Sequence, residues 1–143
     1  MNRIAIFLAM AILLSAASAA LALDSSALVG TWQLTERAQD KDGKPCPFVG
    51  KQIVFTTDGK MISPNMPVPF RYKVNPSKEE TEAAIAKNPE LNGMELLLAT
   101  MVNSPNSQID WTKAPIVYGV QLKGKQLIMK VSGYTLSRYK KSN

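Results

Sequence analysis

Residues 28–34 read Leu-Val-Gly-Thr-Trp-Gln-Leu, and the alternation in this stretch decides the fold class that we expect. Leu28, Trp32 and Leu34 lie on one side of an extended chain, and Thr31 and Gln33 lie on the other. A period of two is typical of a strand with one face in a core and the other in water. We therefore predict a half-buried β-strand here.

The same alternation returns in three segments before the middle of the chain, at residues 51–57, 60–63 and 68–74. Asp58-Gly59 separates the first two segments, and this pair favours the positive φ angles of a type I′ hairpin turn. In the third segment, Phe70, Tyr72 and Val74 share one face. These segments predict further antiparallel strands.

The last third of the chain is also predicted as strands, at residues 116–122, 126–131 and 134–140, with turns at Lys123-Gly124 and Ser132-Gly133. About seven strands with short connections favour a mainly β fold, either a small antiparallel up-and-down barrel or a strongly curled sheet. An open sheet packed on helices is the alternative.

A helical insertion of one or two helices is predicted at residues 77–102. Ser77 and Glu80 have the spacing of a capping box, and Pro89 ends the first helix. A second helix is expected over residues 93–102, where apolar side chains recur at helical spacing. A buried strand is the alternative there, because residues 96–98 form a continuous apolar run. The apolar set consists of Met94, Leu97, Leu98 and Met101.

The amino terminus resembles a secretory signal peptide, because Arg3 precedes an apolar stretch at 4–14 and small residues at 15–22. Cleavage is expected after Ala19 or Ala22, so residues 1–22 are assigned as signal peptide and 23–143 as one domain. An uncleaved membrane anchor is the alternative. We expect an exported protein, periplasmic or secreted, that meets the membrane only through this peptide before cleavage.

The composition argues against several classes of function. The net charge is +6, yet the lysines are spread along the chain, so no nucleic-acid partner is expected. The sequence has no histidine, which excludes Ser-His and Cys-His nucleophilic systems and histidine metal sites. We expect no enzymatic activity, no catalytic residues, no metal and no cofactor. Cys46, between two prolines in a polar loop, is expected to be an exposed thiol, free or linked to another molecule.

Gly30-Thr31-Trp32 resembles the Gly-x-Trp motif in the first strand of the lipocalins and the wider calycin group. Residues 50–59 resemble the second strand and turn of compact bacterial lipocalin-like domains. In that group the Trp plugs one end of a barrel, and an Arg or Lys of the last strand packs across its ring. The resemblance implies that Trp32 and Arg138 form this structural plug.

The resemblance also implies a barrel cavity that binds a small hydrophobic or amphipathic ligand. Met94, Leu98 and Met101 are expected to form a lid, and Met61 and Met66 to edge the opening. The alternative is that these side chains simply fill the core. The full set of candidate ligand-binding residues is Phe55, Phe70, Tyr72, Met94, Leu98, Met101, Tyr118, Val120 and Met129.

A second class of function is a protein-interaction module, such as an inhibitor or an envelope-assembly factor, with a protein partner. The proline-rich loop 63–69 and the loop 103–115 are its candidate contact segments. Trp111 would act as an anchor if it were exposed.

Overall fold

The computed structural model describes residues 22–64, 66, 68–101 and 108–142. Its strands form one closed antiparallel barrel in which each strand pairs with the next and the last pairs with the first, so the predicted up-and-down barrel is confirmed. The described residues form eight strands, one more than the seven expected. They are β1 (Gly30–Glu36), β2 (Gln52–Phe55), β3 (Lys60–Ile62), β4 (Phe70–Val74), β5 (Glu95–Met101), β6 (Ile116–Lys123), β7 (Gln126–Lys130) and β8 (Leu136–Lys141).

The barrel core comes from the inward side of each strand, as the alternation predicts. Trp32, Tyr118 and Met129 are fully buried, while their neighbours along the chain include residues that face outward, such as Gln33. Phe70, Tyr72 and Val74 share the inward face of β4 and pack on this core. One face of each strand therefore contributes its apolar side chains to the interior of the closed barrel.

Helix α1 (Ser25–Leu28) precedes the barrel, and helix α2 (Lys78–Lys87) follows β4. The predicted capping box of α2 is confirmed: the Glu80 amide donates to Ser77 Oγ at 3.1 Å, and the Ser77 amide donates to the Glu80 carboxylate at 2.8 Å. Glu80 also accepts from Lys73 at 2.7 Å, and this contact is the main reason why the pKa of Glu80 is lowered. A 3-10 helix (Pro89–Leu91) continues the insertion.

The second predicted helix is wrong, because residues 95–101 form strand β5. Leu97 belongs to the barrel core, while Leu96 and Leu98 belong to a separate apolar cluster with Ala84 of α2. Both faces of the strand are therefore buried, and the polar residues that would mark a period of two are missing.

This outer cluster lies between the barrel wall and the insertion, and it includes Leu91 and Val117. Gly119 permits the close approach, since a Cβ atom at this position would lie 2.6 Å from Met94 Sδ and 3.3 Å from Leu91 Cδ2. Met94 and Leu98 consequently lie on the outside of the barrel and cannot form the predicted lid.

The connection between β2 and β3 is not the predicted two-residue type I′ turn. Residues 56–59 form a four-residue connection in which only Gly59 has a positive φ, +83°. The Gly59 amide donates to the Thr56 carbonyl, and Thr56 Oγ1 accepts from the Lys60 amide at 3.0 Å. The Thr56 side chain therefore organises the turn, and Asp58 does not need the left-handed conformation.

The barrel end at which β1 begins, called the closed end below, is plugged by Trp32. The indole is fully buried, and Nε1 donates to the Leu28 carbonyl of α1 at 2.8 Å. Lys141 Nζ lies 5.5 Å from the ring centroid and 3.3 Å from the Ala27 carbonyl oxygen. Gly30 leaves room for this lysine, because a Cβ there would lie 3.0 Å from Lys141 Cε.

Arg138 does not take the predicted place over Trp32. Its Nε lies 2.8 Å from Glu36 Oε2 in an ion pair on the outer face of the barrel. Ser137 and Tyr139 are the fully buried residues of this part of β8, so Arg138, between them, points away from the core. The cation of the plug is Lys141, which lies two residues beyond Tyr139 on the same face of the strand.

Among the residues that the structure describes, no helix has the length and apolar character needed to cross a membrane. The predicted signal peptide lies outside the described residues except for Ala22.

Candidate functional site

A loop covers much of the opposite end of the barrel, called the open end below. This loop, residues 38–50, is called the roof loop. Ala38, Cys46 and Val49 are buried in the barrel core, and the bridge between Gln39 and Pro45 folds the loop back on itself. The roof loop therefore closes part of the opening with its own apolar side chains.

Side chains of the barrel wall hold the roof loop from below. Tyr118 and Tyr139 each donate their hydroxyl at 2.8 Å, to the carbonyls of Phe48 and Gly50 respectively. Ser137 Oγ accepts from the Ala38 amide at 3.1 Å. Burial raises the pKa of both tyrosines far above the usual value, which keeps the phenols protonated as donors.

Cys46 is not the exposed thiol that its polar surroundings predict, because its side chain is only 2% exposed. Its amide donates to the Ala38 carbonyl at 3.0 Å, which turns the residue inward. Burial raises the pKa of the thiol, so the reactive thiolate is disfavoured. A covalent link through Cys46 therefore requires the roof loop to move.

Four of the candidate ligand-binding residues are packed in the barrel core. Phe55, Tyr118, Val120 and Met129 are 0–2% exposed, so almost no water-sized sphere can touch them. Met61, expected at the edge of the opening, is fully buried among them. These residues therefore fit the alternative interpretation, in which the barrel core is filled by its own side chains.

An apolar cleft of about 460 Å³ remains at the open end, between the roof loop and the rim formed by β4, β5 and β6. Met101 lies directly opposite Phe70 in the β4–β5 ladder, so both point to the inner side of the rim. Phe48 of the roof loop and Ile116 border the same cleft. Met101 and Phe48 are 54% and 41% exposed, so the cleft presents two large apolar side chains to solvent.

A second cleft, of about 520 Å³, lies beside the roof loop and is called the basic cleft. Arg37 and Lys51 border it, together with apolar atoms of Cys46 and Val49. Pro47 borders both clefts, so the two clefts are neighbours.

A third cleft, of about 470 Å³, lies at the closed end and is bordered by Tyr72, Val74 and Ser26. Tyr72 packs edge-on against Phe55, with ring centroids 5.1 Å apart. Tyr72 is therefore separated from the apolar cleft, although Phe70 lies two residues away on the same strand face.

The structure thus brings Phe70 and Met101 together at one cleft and distributes the other candidates over the core, the closed end and the outer wall. Met66 also borders the apolar cleft, as expected for the edge of the opening. Sequence reasoning missed Phe48 and Ile116 as cleft residues. The signal for Phe48 was its place in Pro45-Cys-Pro-Phe-Val49, an apolar run within a polar loop.

Trp111 is half-buried and packs on the outer cluster with Val117, so it is not the exposed anchor that an interaction module needs. The rest of loop 103–115 before residue 108, together with Asn65 and Pro67 of loop 63–69, lies outside the described residues. The described part of the chain contains no group of three or more Cys, Asp or Glu residues placed to hold a metal ion.

Comparisons with known proteins found no likeness that would assign the chain to a family. No protein-family model matches it, and neither a curated protein nor a solved structure gives a match.

Proposed function

We propose that this chain is an exported, non-enzymatic binding protein of the lipocalin-like type that takes a small hydrophobic or amphipathic molecule in the apolar cleft. The observation that carries the proposal is the apolar cleft itself, which leaves Met101 and Phe48 partly exposed at the mouth of a closed barrel. The site differs from the deep cavity expected from the sequence, because the interior is occupied by its own side chains.

Energetics favour an apolar occupant of this cleft. Each methylene group that a ligand buries contributes about 0.8 kcal/mol, and the exposed Met101 and Phe48 surfaces gain in the same way. Methionine side chains at 66 and 101 are flexible and polarisable, which suits contacts with ligands of different shape. The cleft volume also lies in the range typical of small-molecule sites.

The closed end supports the lipocalin-like part of the proposal. The resemblance implies an Arg or Lys of the last strand across the ring of the first-strand Trp, and Lys141 of β8 occupies that position. Gly30 is needed for the path of that lysine, which gives the Gly-x-Trp motif a structural reason in this chain. Export rests on the amino-terminal sequence pattern alone.

The test uses the neutral fluorescent probe N-phenyl-1-naphthylamine, titrated into the mature chain and into the Met101→Asp variant. A charge at the cleft rim should weaken probe binding at least about tenfold, because a carboxylate would have to lose water on contact with the probe. Ile62→Asp is the matched control, since Ile62 is also an exposed apolar side chain but does not border the cleft. Absence of probe binding, or equal losses in both variants, would contradict the proposal.

The second candidate function is a protein-interaction module, and the exposed apolar side chains Ile62 and Val68 favour it. They lie outside the apolar cleft, so a small ligand there would leave them in water. Its test is affinity capture from envelope extract with the native chain and with an Ile62→Asp/Val68→Asp variant. A specific partner should be captured by the native chain and lost by the variant, and capture of the same proteins by both would contradict this function.

A further inference from the structure

We propose that the ligand of the open end is an anionic single-chain amphiphile, with its chain in the apolar cleft and its acid group in the basic cleft against Arg37 and Lys51. This inference rests on the proposed function and narrows the class of ligand. The acid group is a carboxylate, sulfate or phosphate monoester, because a guanidinium binds each of these with two parallel hydrogen bonds.

The first observation is the unmatched positive charge of the basic cleft. Arg37 and Lys51 border it, and no Asp or Glu of the described residues does so. Neither cation makes an ion pair within the described part of the chain, although five other cations do. Those pairs are Lys60–Asp58, Lys73–Glu80, Lys78–Glu82, Lys130–Glu90 and Arg138–Glu36.

The second observation is the way in which the two clefts adjoin. They lie on two sides of the same roof-loop segment, and Pro47 borders both. Pro64 borders the basic cleft and Met66 borders the apolar cleft, so their Cα atoms are at most about 7 Å apart. The two clefts therefore adjoin, and in the proposal one flexible molecule passes over Pro47 to occupy both.

The third observation is the division of chemistry between them. The apolar cleft is bordered by Phe48, Phe70, Met101 and Ile116 and by no charged side chain of the described residues. The basic cleft is bordered by Arg37 and Lys51 and by prolines at positions 45, 47 and 64. This separation fits an amphiphile better than a uniformly apolar molecule, which would leave the two cations without a partner.

The experiment compares three ligands with one chain length and different head groups: decanoate, 1-decanol and decyltrimethylammonium. Each displaces N-phenyl-1-naphthylamine from the mature chain, at concentrations below the micelle concentration of the two charged ligands and below the solubility limit of decanol. Decanoate should bind at least about tenfold more tightly than the other two, and added salt should reduce this advantage. Decanol is the more hydrophobic molecule, so a purely apolar site would show the opposite order.

Variants identify the cations. The Arg37→Gln/Lys51→Gln double variant should bind decanoate about tenfold more weakly and bind decanol as the parent does. Lys41→Gln/Lys44→Gln is the matched control, because it removes the same charge from exposed positions of the roof loop that border neither cleft. This control should change decanoate binding less than about twofold, as expected for screened charges.

Three results would overturn the inference. Equal binding of decanoate and decanol would overturn the anionic class and leave the proposed function standing. Equal losses in the cleft variant and the control variant would show an effect of net charge rather than of a site. Binding to vesicles that contain anionic phosphatidylglycerol, without one-to-one binding of decanoate, would place the surface on a membrane instead. Failure of the proposed function is a different result, in which the neutral probe itself does not bind.

Discussion

At the scale of single residues, the indole of Trp32 has a partner for both its polar and its apolar surface. Its N–H reaches the Leu28 carbonyl, its ring lies under Lys141, and its remaining surface is fully buried. A buried aromatic side chain of this kind contributes several kcal/mol of stability, so the plug is a structural element rather than a place for ligand.

The contacts of the plug predict that Lys141 contributes more than Arg138 to the free energy of unfolding. Lys141→Met should lower the free energy of unfolding by about 1–2 kcal/mol, because it removes the cation over the ring and the contact with the Ala27 carbonyl. Arg138→Met should cost less than about 1 kcal/mol, since its ion pair with Glu36 is solvent-exposed. Urea unfolding measures both, and a larger loss for Arg138→Met would contradict the assignment.

The alternation of side chains along β8 explains why the sequence predicts Arg138, rather than Lys141, as the cation over Trp32. The period of two groups Arg138 with Leu136, and this grouping is correct, but it does not say which of the two faces turns inward. The buried Ser137 and Tyr139 decide that question, and a serine is not an obvious core residue. Its burial becomes understandable only once the roof loop supplies the Ala38 amide as its partner.

The same tyrosines that hold the roof loop predict how stability depends on pH. The raised pKa of Tyr118 and Tyr139 means that the folded chain keeps protons that the unfolded chain releases above about pH 10. The free energy of unfolding should be unaffected by these groups below that pH, and should fall by up to about 1.4 kcal/mol per pH unit for each tyrosine above it.

Urea unfolding at about pH 8 and about pH 11 tests this dependence. A Tyr118→Phe/Tyr139→Phe variant should lose less stability between the two pH values than the parent. Tyr134→Phe, at a tyrosine that is only half-buried, should retain the loss. Equal alkaline losses in all three chains would contradict the role of the buried phenols.

At the scale of elements, the roof loop is joined to the barrel by side-chain and backbone hydrogen bonds, including two between Gln39 and Thr135. Two tyrosine hydroxyls and Ser137 fix it to the barrel wall, and Cys46 is buried beneath it. Movement of the loop would therefore be reported by the reactivity of that thiol.

We predict that Tyr118→Phe increases the rate of Cys46 alkylation by iodoacetamide about fivefold, because losing a hydrogen bond to the roof loop costs about 1 kcal/mol. Tyr139→Phe should act in the same direction through the Gly50 carbonyl. Tyr134→Phe is the control, because its hydroxyl makes no hydrogen bond among the described residues. Mass spectrometry of the alkylated chain measures the rate, and equal rates in all three variants would contradict this account of the loop.

Strand β5 shows which elements the sequence predicts and which it does not. The sequences of β1 and β4 alternate clearly between apolar and polar residues, and the Ser77 capping box marks a real helix start. In β5 the inner face meets the barrel core while the outer face meets α2, so nearly every residue is apolar. Such a run fits helical and extended spacing equally well, and only the packed insertion distinguishes them.

At the scale of the whole molecule, the barrel is small enough to be filled by its own side chains. Alternation predicts which residues face inward, so Phe55, Tyr118, Val120 and Met129 were correctly expected on the inner side. It does not predict how far a loop closes the opening, and here the roof loop occupies that space. The candidate site therefore moves to the rim, where Phe70 and Met101 were foreseeable and Phe48 was not.

The pairing of β1 with β8 also has a consequence for how the chain reaches its final shape. The hydrogen bond from Thr35 Oγ1 to the Arg138 carbonyl joins residues 103 positions apart, so the seam can form only after the carboxy-terminal strand is available. Such long-range pairing slows folding, and it leaves unpaired strand edges that can associate between molecules. During synthesis from the amino terminus, β1 therefore stays unpaired on its β8 side until β8 itself has been made, so this edge is open to association for most of that time.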